Sequence, residues 1–410
     1  MRLLKRLLCL LTALMLLFAT AAPAFAAEET ESADPARGDL TECNGEIVGI
    51  ANRGVWAEYP ENSLSALLAV ADTGLKYALA DVSRTKDGVL VLMAADAAKR
   101  MLGLGSPYVS DYTLEELRRQ PLKKRVGGEA NRNTGLYIDT LAGTLPLLKE
   151  AGVTPVLKFD AALADEVAAF PEAEGCVLYF TGKTKAVTAA AQTYAGTFEV
   201  LGEKRSNVIF SVLSFVNRLR DAGAAGAVLK TTNRYGVIYY KSTLAKCEGL
   251  RAVADTSYPE TTGARQDCEK WWDDLISRGY SAIITDDPAG FADYLRQNDA
   301  ARSRLREAYE NAKAATLPAF SMLSDYRKLY YDAENNAIAL LSDHSASTQE
   351  MNDAYAALQS ALKTVELHFE EIQNGTADQT VTLPRILLCV GAAAAVIAVQ
   401  IYFYKRRKKA

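Results

Sequence analysis

The chain has 410 residues, of which 46 are Lys or Arg and 50 are Asp or Glu, for a formal net charge of −4. This length is too great for one ordinary domain and predicts two folded units with targeting segments. Residues 1–26 and 385–410 hold nine of the basic residues and no acidic one, so the chain between them carries a net charge of −13. Such an acidic exterior argues against nucleic acid as a partner and still allows a local basic pocket.

Both termini carry targeting signals. Residues 1–26 combine a basic start, an apolar run at 7–18 and a small-x-small end, which is typical of a secretory signal peptide. Residues 386–404 form 19 uncharged residues, long enough to cross a bilayer, and five basic residues follow at once. We therefore predict a single-pass cell-membrane protein with its N-terminal part outside, a transmembrane helix at 385–404 and a basic cytoplasmic tail at 405–410.

Alternating strands and helices follow a polar stretch at 27–44, which we interpret as a flexible spacer. Between 45 and 298 the pattern favours parallel βαβ units and an α/β fold, a TIM-like (β/α)8 barrel, whose functional sites lie at the carboxyl ends of the strands. Helices are predicted at 216–222 and 268–278. The predicted strands are 47–52, 77–82, 88–93, 154–160, 176–181, 207–212, 227–230, 250–255 and 281–285.

After residue 298 the pattern becomes purely helical. Apolar residues recur at helical spacing, and Ser347-x-x-Glu350 forms a capping box, which predicts a small α-helical bundle at 299–375 and a linker at 376–384. We interpret the apolar set as the core of the bundle rather than as a binding face. Through Tyr326-x-x-Leu329 and Thr348-Gln349-Glu350-x-Asn352-x-Ala354, the bundle weakly resembles the FIVAR-type repeats of Gram-positive surface proteins.

Four cysteines lie between the two hydrophobic terminal segments: Cys43, Cys176, Cys247 and Cys268. An exported protein can form disulfides, and four cysteines allow three pairings, which the sequence leaves open. Their spacing matches no metal site.

Several motifs follow one another in the predicted barrel: Arg53-Gly54, Pro60-Glu61-Asn62-Ser63, Asp81-Val82 with Thr85-Lys86-Asp87-Gly88-Val89, Gly105 with Tyr108 to Leu117, Ser214-Phe215 and Gly279 to Pro288. In their order and spacing they resemble the glycerophosphodiester phosphodiesterase family. This resemblance implies a TIM-like barrel of the phosphatidylinositol-phosphodiesterase-like type.

The resemblance implies hydrolysis of glycerophosphodiesters to an alcohol and glycerol 3-phosphate. The family uses two histidines as acid and base and a Ca²⁺ or Mg²⁺ ion held by carboxylates. These groups suit the reaction because the leaving alkoxide needs a proton and the diester oxyanion needs its charge neutralised.

The sequence departs from the family at these catalytic positions. Asn52 and Ala94 stand where the family has its two histidines, and Leu79 and Lys158 stand where it has metal-binding glutamates. Asp81 is the lone remnant of the metal ligands, so we expect no metal cofactor. The chain's two histidines, His344 and His368, lie beyond the barrel.

Four residues remain candidates for binding an anionic ligand: Asn52, Arg53, Glu61 and Lys158. Each also has a structural interpretation. Asn52 either binds a ligand phosphate or caps its strand. Arg53 and Glu61 either bind a ligand or form an ion pair with each other. Lys158 either binds an anion or neutralises the charge of Asp81.

The sequence thus favours a pseudoenzyme that acts as a binding or interaction module, with an anionic phosphate-containing small molecule or a surface protein as partner. One alternative is a phosphoric diester hydrolase of lipid or glycerophosphodiester metabolism that uses Asp81, Asp96 or Glu61. A second alternative is a cell-surface scaffold or adhesion protein whose bundle is the working part.

Overall fold

The computed structural model describes residues 38–40, 46–124, 134–206, 208–230, 238, 240–247, 249–256, 267–314, 324–343 and 346–373. The predicted signal peptide, linker, transmembrane helix and tail lie outside this part of the chain, as do Cys9, Cys43 and Cys389. None of the described helices is both long and apolar enough to cross a membrane. The anchor at 385–404 therefore stays a prediction.

Eight parallel strands close into a barrel, which confirms the predicted fold class. The order around the barrel is β1, β9, β8, β7, β6, β5, β4, β2, and pairing of β1 with β2 closes the ring. β3 lies outside the ring and pairs antiparallel with the end of β2. The strands are β1 Val48–Asn52, β2 Tyr77–Arg84, β3 Leu90–Leu92, β4 Thr154–Asp160, β5 Val177–Thr181, β6 Glu199–Arg205, β7 Gly226–Lys230, β8 Arg251–Asp255 and β9 Ala282–Thr285.

Helices cover the outside of the barrel and continue beyond it. Those between strands are α1 Leu64–Leu68, α2 Val70–Thr73, α3 Ala98–Leu102, α4 Leu114–Arg118, α5 Leu141–Glu150, α6 Ala164–Ala168, α7 Thr184–Tyr194, α8 Ile209–Asp221, α9 Lys241–Leu244 and α10 Glu269–Arg278. Those after the last strand are α11 Pro288–Ala314, α12 Ser324–Ser342 and α13 Thr348–Gln373. Helix α11 continues without a break through residue 298, where the sequence placed the domain boundary.

One strand prediction was wrong. Residues 207–212 were predicted as a strand, but 209–212 form the first turn of α8, and the sixth strand is Glu199–Arg205. Buried Val212, Phe215, Val216 and Leu219 lie on one face of α8 at helical spacing, so its apolar start belongs to a helix. Gly202 brings the strand close to the helices, because a Cβ there would lie 2.8 Å from Leu219.

The barrel interior changes from apolar to charged toward the carboxyl ends of the strands. Alternate residues of each strand point inward, and the lower positions form one buried apolar cluster. It comprises Val48, Ile50, Tyr77, Leu79, Val156, Val177, Tyr179, Leu201, Val228, Val253, Ala282 and Ile284, with Leu40. By the same alternation, the last inward positions are polar: Asn52, Asp81, Lys158, Glu203, Lys230 and Asp255.

Residues 38–40, predicted to belong to the spacer, instead pack against the amino end of the barrel. Leu40 is fully buried, and its backbone N–H donates to the Tyr77 hydroxyl at 3.0 Å. Buried Arg251 donates to the carbonyl oxygens of Asp39 at 2.6 Å and Leu40 at 2.9 Å. This short segment is polar in sequence and yet ordered, because its backbone supplies the acceptors that Arg251 needs.

The three described barrel cysteines are unpaired. Cys176 and Cys247 are buried, and burial raises the pKa of each thiol to about 11. Cys268 is exposed at the start of α10. No disulfide joins these three residues.

Candidate functional site

The turn between β1 and α1 has a backbone that few residues adopt. Arg53 and Gly54 both lie in the left-handed region, with φ of 58° and 74°. A Cβ on Gly54 would lie 2.3 Å from the Ala66 carbonyl oxygen, so the turn packs directly on the backbone of α1. Ser63 caps that helix by accepting from the Ala66 N–H at 3.2 Å. This turn fixes the Arg53 side chain over the barrel mouth.

Asp81, at the mouth end of β2, is held by two cations and an amide. Arg53 Nε donates to its Oδ2 at 2.6 Å, and Asn62 Nδ2 donates to the same oxygen at 3.2 Å. Lys158 Nζ lies 3.8 Å from Oδ1, across the β2–β4 pair in which Asp81 and Lys158 are partners in register. Both oxygens of Asp81 therefore face protein cations.

These contacts keep Asp81 ionised. Burial by itself would raise the pKa of Asp81, but the positive charges of Arg53 and Lys158 and the hydrogen bonds from Asn62 and Arg53 outweigh burial. The pKa of Asp81 is therefore below its ordinary value. A carboxylate so stabilised is a poor proton donor or acceptor near neutral pH.

Glu61 is bound in the same way. The Arg100 guanidinium donates to both carboxylate oxygens of Glu61, from Nη1 to Oε2 at 2.7 Å and from Nη2 to Oε1 at 2.6 Å. Arg53 Nη1 forms an ion pair with Glu61 Oε1 at 3.3 Å. The Glu61 side chain is buried. The predicted pair of Arg53 with Glu61 is thus present, and Arg53 joins Glu61 to Asp81.

Asn52 is buried at the end of β1 and faces Asp286, just past β9. Its Nδ2 donates to Asp286 Oδ1 at 2.8 Å, and Trp56 Nε1 donates to the same oxygen at 2.9 Å. Buried Asp267 holds the β9 end by accepting from the Thr285 hydroxyl at 2.9 Å. The Asn52 amide group therefore joins two neighbouring strand ends.

The opposite half of the mouth carries a second charged network that the sequence motifs did not indicate. Lys230 Nζ lies 2.6 Å from Asp255 and 3.0 Å from Glu203, and the Tyr179 hydroxyl donates to Glu203 at 2.7 Å. Burial would lower the pKa of Lys230, but the two carboxylates outweigh it and raise that pKa above its ordinary value. Lys158 links the halves, since its Nζ lies 5.4 Å from the Tyr179 ring centre.

The residues at the mouth do not fit a divalent cation. Ca²⁺ and Mg²⁺ need several oxygen ligands, and within the described chain no group of three His, Cys, Asp or Glu side chains could hold a metal. Leu79 fills the position below Asp81 with a buried apolar side chain. A cation at Asp81 would also meet the positive charges of Arg53 and Lys158.

Among the described residues, Ala94 and Asp96, which the sequence also singled out, do not belong to either charged network at the mouth. Ala94 is half-buried after β3 and packs against a satellite cluster under that strand. Asp96 is exposed two residues later. His344 lies outside the described residues, and His368 belongs to α13, far along the sequence from the strands.

Comparisons with known proteins match the barrel. The Glycerophosphoryl diester phosphodiesterase family matches residues 53–289. A glycerophosphodiester phosphodiesterase of Caldanaerobacter subterraneus subsp. tengcongensis is 25% identical over 267 residues, which cover 60% of this chain and 97% of that protein. Another, from Bacillus altitudinis, is 35% identical over 100 residues, covering 24% of this chain and 36% of that protein.

Among solved structures, the glycerophosphodiester phosphodiesterase of Agrobacterium tumefaciens aligns with a TM-score of 0.43 at 19% identity, covering 60% of this chain and 98% of that one. The family match spans more than half of the present chain, and the predicted resemblance is thereby confirmed. The chain belongs to the Glycerophosphoryl diester phosphodiesterase family.

Proposed function

We propose that this chain is a pseudoenzyme of its family, an extracellular, membrane-anchored protein whose barrel mouth binds a small phosphate-bearing anion without hydrolysing it. The observation that carries the proposal is the contact of Lys158 with Asp81, 3.8 Å apart, at a position where the family resemblance implies a metal-binding carboxylate. A fixed ammonium there supplies a positive charge but, unlike a bound metal ion, does not activate a water molecule for attack.

The cations at the mouth support the binding half of this proposal. The side chains of Arg53 and Lys158 are each about one-fifth exposed, 20% and 19%, so solvent reaches both. An anionic oxygen can accept hydrogen bonds from their free donors while Asp81 keeps the two groups in place. Arg is well suited to this role because its guanidinium presents several donors in one plane.

The test combines turnover and binding. The purified full chain is incubated with glycerophosphocholine and Ca²⁺ or Mg²⁺, beside an active glycerophosphodiester phosphodiesterase as positive control. We expect no release of glycerol 3-phosphate above the protein-free blank. Turnover that disappears in Asp81→Ala would overturn the proposal and favour altered hydrolytic chemistry, as would turnover of an activated aryl diester at acid pH.

Binding is measured by titration calorimetry with glycerol 3-phosphate. We expect Lys158→Met to weaken the affinity severalfold, and the matched control Lys185→Met, on the exposed side of α7, to leave it unchanged. Equal affinities for Lys158→Met and the unsubstituted chain would remove the mouth as the binding site. Absence of any binding would favour the scaffold interpretation instead.

A further inference from the structure

Helix α11 connects the barrel mouth to the helical bundle without interruption. It begins at Pro288, three residues after β9, and Phe291 and Tyr294 pack into the barrel's outer core. Further along, Ala301, Leu305 and Ala308 belong to the core of the bundle. An α-helix of 27 residues is about 40 Å long, and about 15 Å of that length lies beside the barrel.

The bundle extends away from the mouth, and its last helix runs in the same direction as α11. Asn298 donates to the Thr348 hydroxyl at 3.1 Å, and Arg304 donates to Asn352 at 3.2 Å. Later residues of α11 therefore contact later residues of α13, which means that the two helices are parallel. Helix α12 runs the other way, since Tyr330 near its start donates to the Ala312 carbonyl at 3.1 Å. The carboxyl end of α13 is therefore the part of the bundle farthest from the barrel.

Polar contacts, partly buried or exposed, fix the bundle to the barrel. The Asp273 carboxylate on α10 accepts from the Tyr294 hydroxyl at 2.6 Å and from the Thr348 N–H at 3.2 Å. One carboxylate thus ties α10, α11 and the start of α13 together. Lys241 on the barrel also reaches Asp343 after α12, at 3.4 Å. These contacts and the unbroken α11 favour a joint that does not bend.

We propose that the bundle is a stalk that holds the barrel mouth away from the bilayer in which the C-terminal segment is anchored. This inference depends on the membrane anchoring put forward under the proposed function. Helix lengths place the mouth about 50 Å from the end of α13. About 11 residues separate the end of α13 at Gln373 from the predicted transmembrane helix at 385, and a chain of that length spans at most about 40 Å. Because this reach is shorter than about 50 Å, the chain does not allow the molecule to turn over and direct its mouth at that bilayer.

The orientation of the stalk determines which phosphate-bearing molecules can reach the barrel mouth. A phosphate group could come from a lipid headgroup of the anchoring bilayer or from a molecule in the surrounding medium. With the mouth facing away, the ligand is water-soluble or carried on an opposing surface. The barrel's own bilayer does not supply it.

Energy transfer to the membrane surface tests this orientation. The full chain is reconstituted into vesicles in a background where Cys43, Cys268 and Cys389 are replaced by serine. Single cysteines are introduced by Phe210→Cys, at the mouth end of α8, and by Leu367→Cys, near the end of α13; both native side chains are well exposed, at 80% and 51%. After reconstitution, a membrane-impermeant donor labels only outward-facing protein, and the acceptor is a headgroup-labelled lipid.

We expect severalfold lower transfer from position 210 than from position 367. Equal or higher transfer from 210 would overturn the stalk, as would failure of the vesicles to retain the chain.

A second measurement compares glycerol 3-phosphate affinity in phosphatidylcholine and phosphatidylglycerol vesicles, and we expect no difference. A severalfold loss of affinity in phosphatidylglycerol would mean that the anchoring bilayer competes for the mouth. A missing phosphate site would abolish binding in both vesicles and leave the transfer result unchanged, so the two proposals fail separately.

Discussion

Lys158 and Asp81 are partners in register on β4 and β2, and their charged groups lie 3.8 Å apart at the mouth of the barrel. The same Asp81 receives Arg53 at 2.6 Å on its other oxygen. One carboxylate with two cations is the reverse of a metal site, in which one cation is shared by several carboxylates. Among the described residues, Arg53 and Lys158 supply the positive charge beside Asp81.

Asp81→Asn should destabilise the fold by about 2 to 4 kcal/mol, because it leaves two partly buried cations without their carboxylate. Thermal or urea unfolding measures the difference. The pKa of Asp81 is lowered in the folded chain, so its contribution is complete above the ordinary Asp value of about 3.9 and is lost as the pH falls through the lowered value. The difference in unfolding free energy between the variant and the unsubstituted chain should therefore become smaller in acid.

A double-mutant cycle with Lys158→Met isolates the pair. Lys158→Met alone should cost about 1 kcal/mol or less, since Lys158 is partly exposed and Asp81 keeps Arg53. With Asp81→Asn already present, removing Lys158 should cost nothing further or restore some stability. Strictly additive losses would mean that the two residues do not interact.

Lys230→Met should destabilise the fold by about 2 to 4 kcal/mol at neutral pH, because it leaves Glu203 and Asp255 facing each other. In the unsubstituted chain the raised pKa of Lys230 means that its contribution is full below about 10.4 and is lost at higher pH. Urea unfolding at about pH 7 measures the loss of unfolding free energy, and an unchanged free energy in the variant would argue against this network.

Gly54→Ala should cost about 3 kcal/mol or more, since it combines a left-handed backbone with a contact of 2.3 Å to the Ala66 carbonyl. Gly88→Ala is the matched control: its φ is 85°, but no atom lies within 4 Å of the added Cβ. That variant should lose only the backbone cost, about 1 kcal/mol. Comparable losses for both variants would show that the packing of the turn on α1 is unimportant.

The sequence predicts most of the barrel and misses one strand for a physical reason. β6 ends in Glu203-Lys204-Arg205 and contains Gly202, a composition that looks like a loop. Its polar end faces the mouth, and its glycine admits Leu219 of the covering helix, so both features reflect tertiary packing. The apolar start of α8 looks like a strand because a short apolar run does not distinguish the two.

The candidate site is predictable only in part. Motif positions led to Arg53, Asp81 and Lys158, which the structure brings together. Lys230 and Asp255 could have been found by extending the inward alternation of Val228 and Val253 by two residues. Arg100 carries no local signal, because its contact with Glu61 joins residues 39 positions apart in the chain.

Calcium binding tests the central claim, that ion pairs have replaced the metal site. Titration calorimetry with Ca²⁺ and Mg²⁺ compares the full chain with the double variant Leu79→Glu, Lys158→Glu, which puts two carboxylates beside Asp81 and removes the competing ammonium. We predict no saturable heat for the unsubstituted chain and one-to-one Ca²⁺ binding by the double variant. Stoichiometric binding by the unsubstituted chain that disappears in Asp81→Ala would contradict the account.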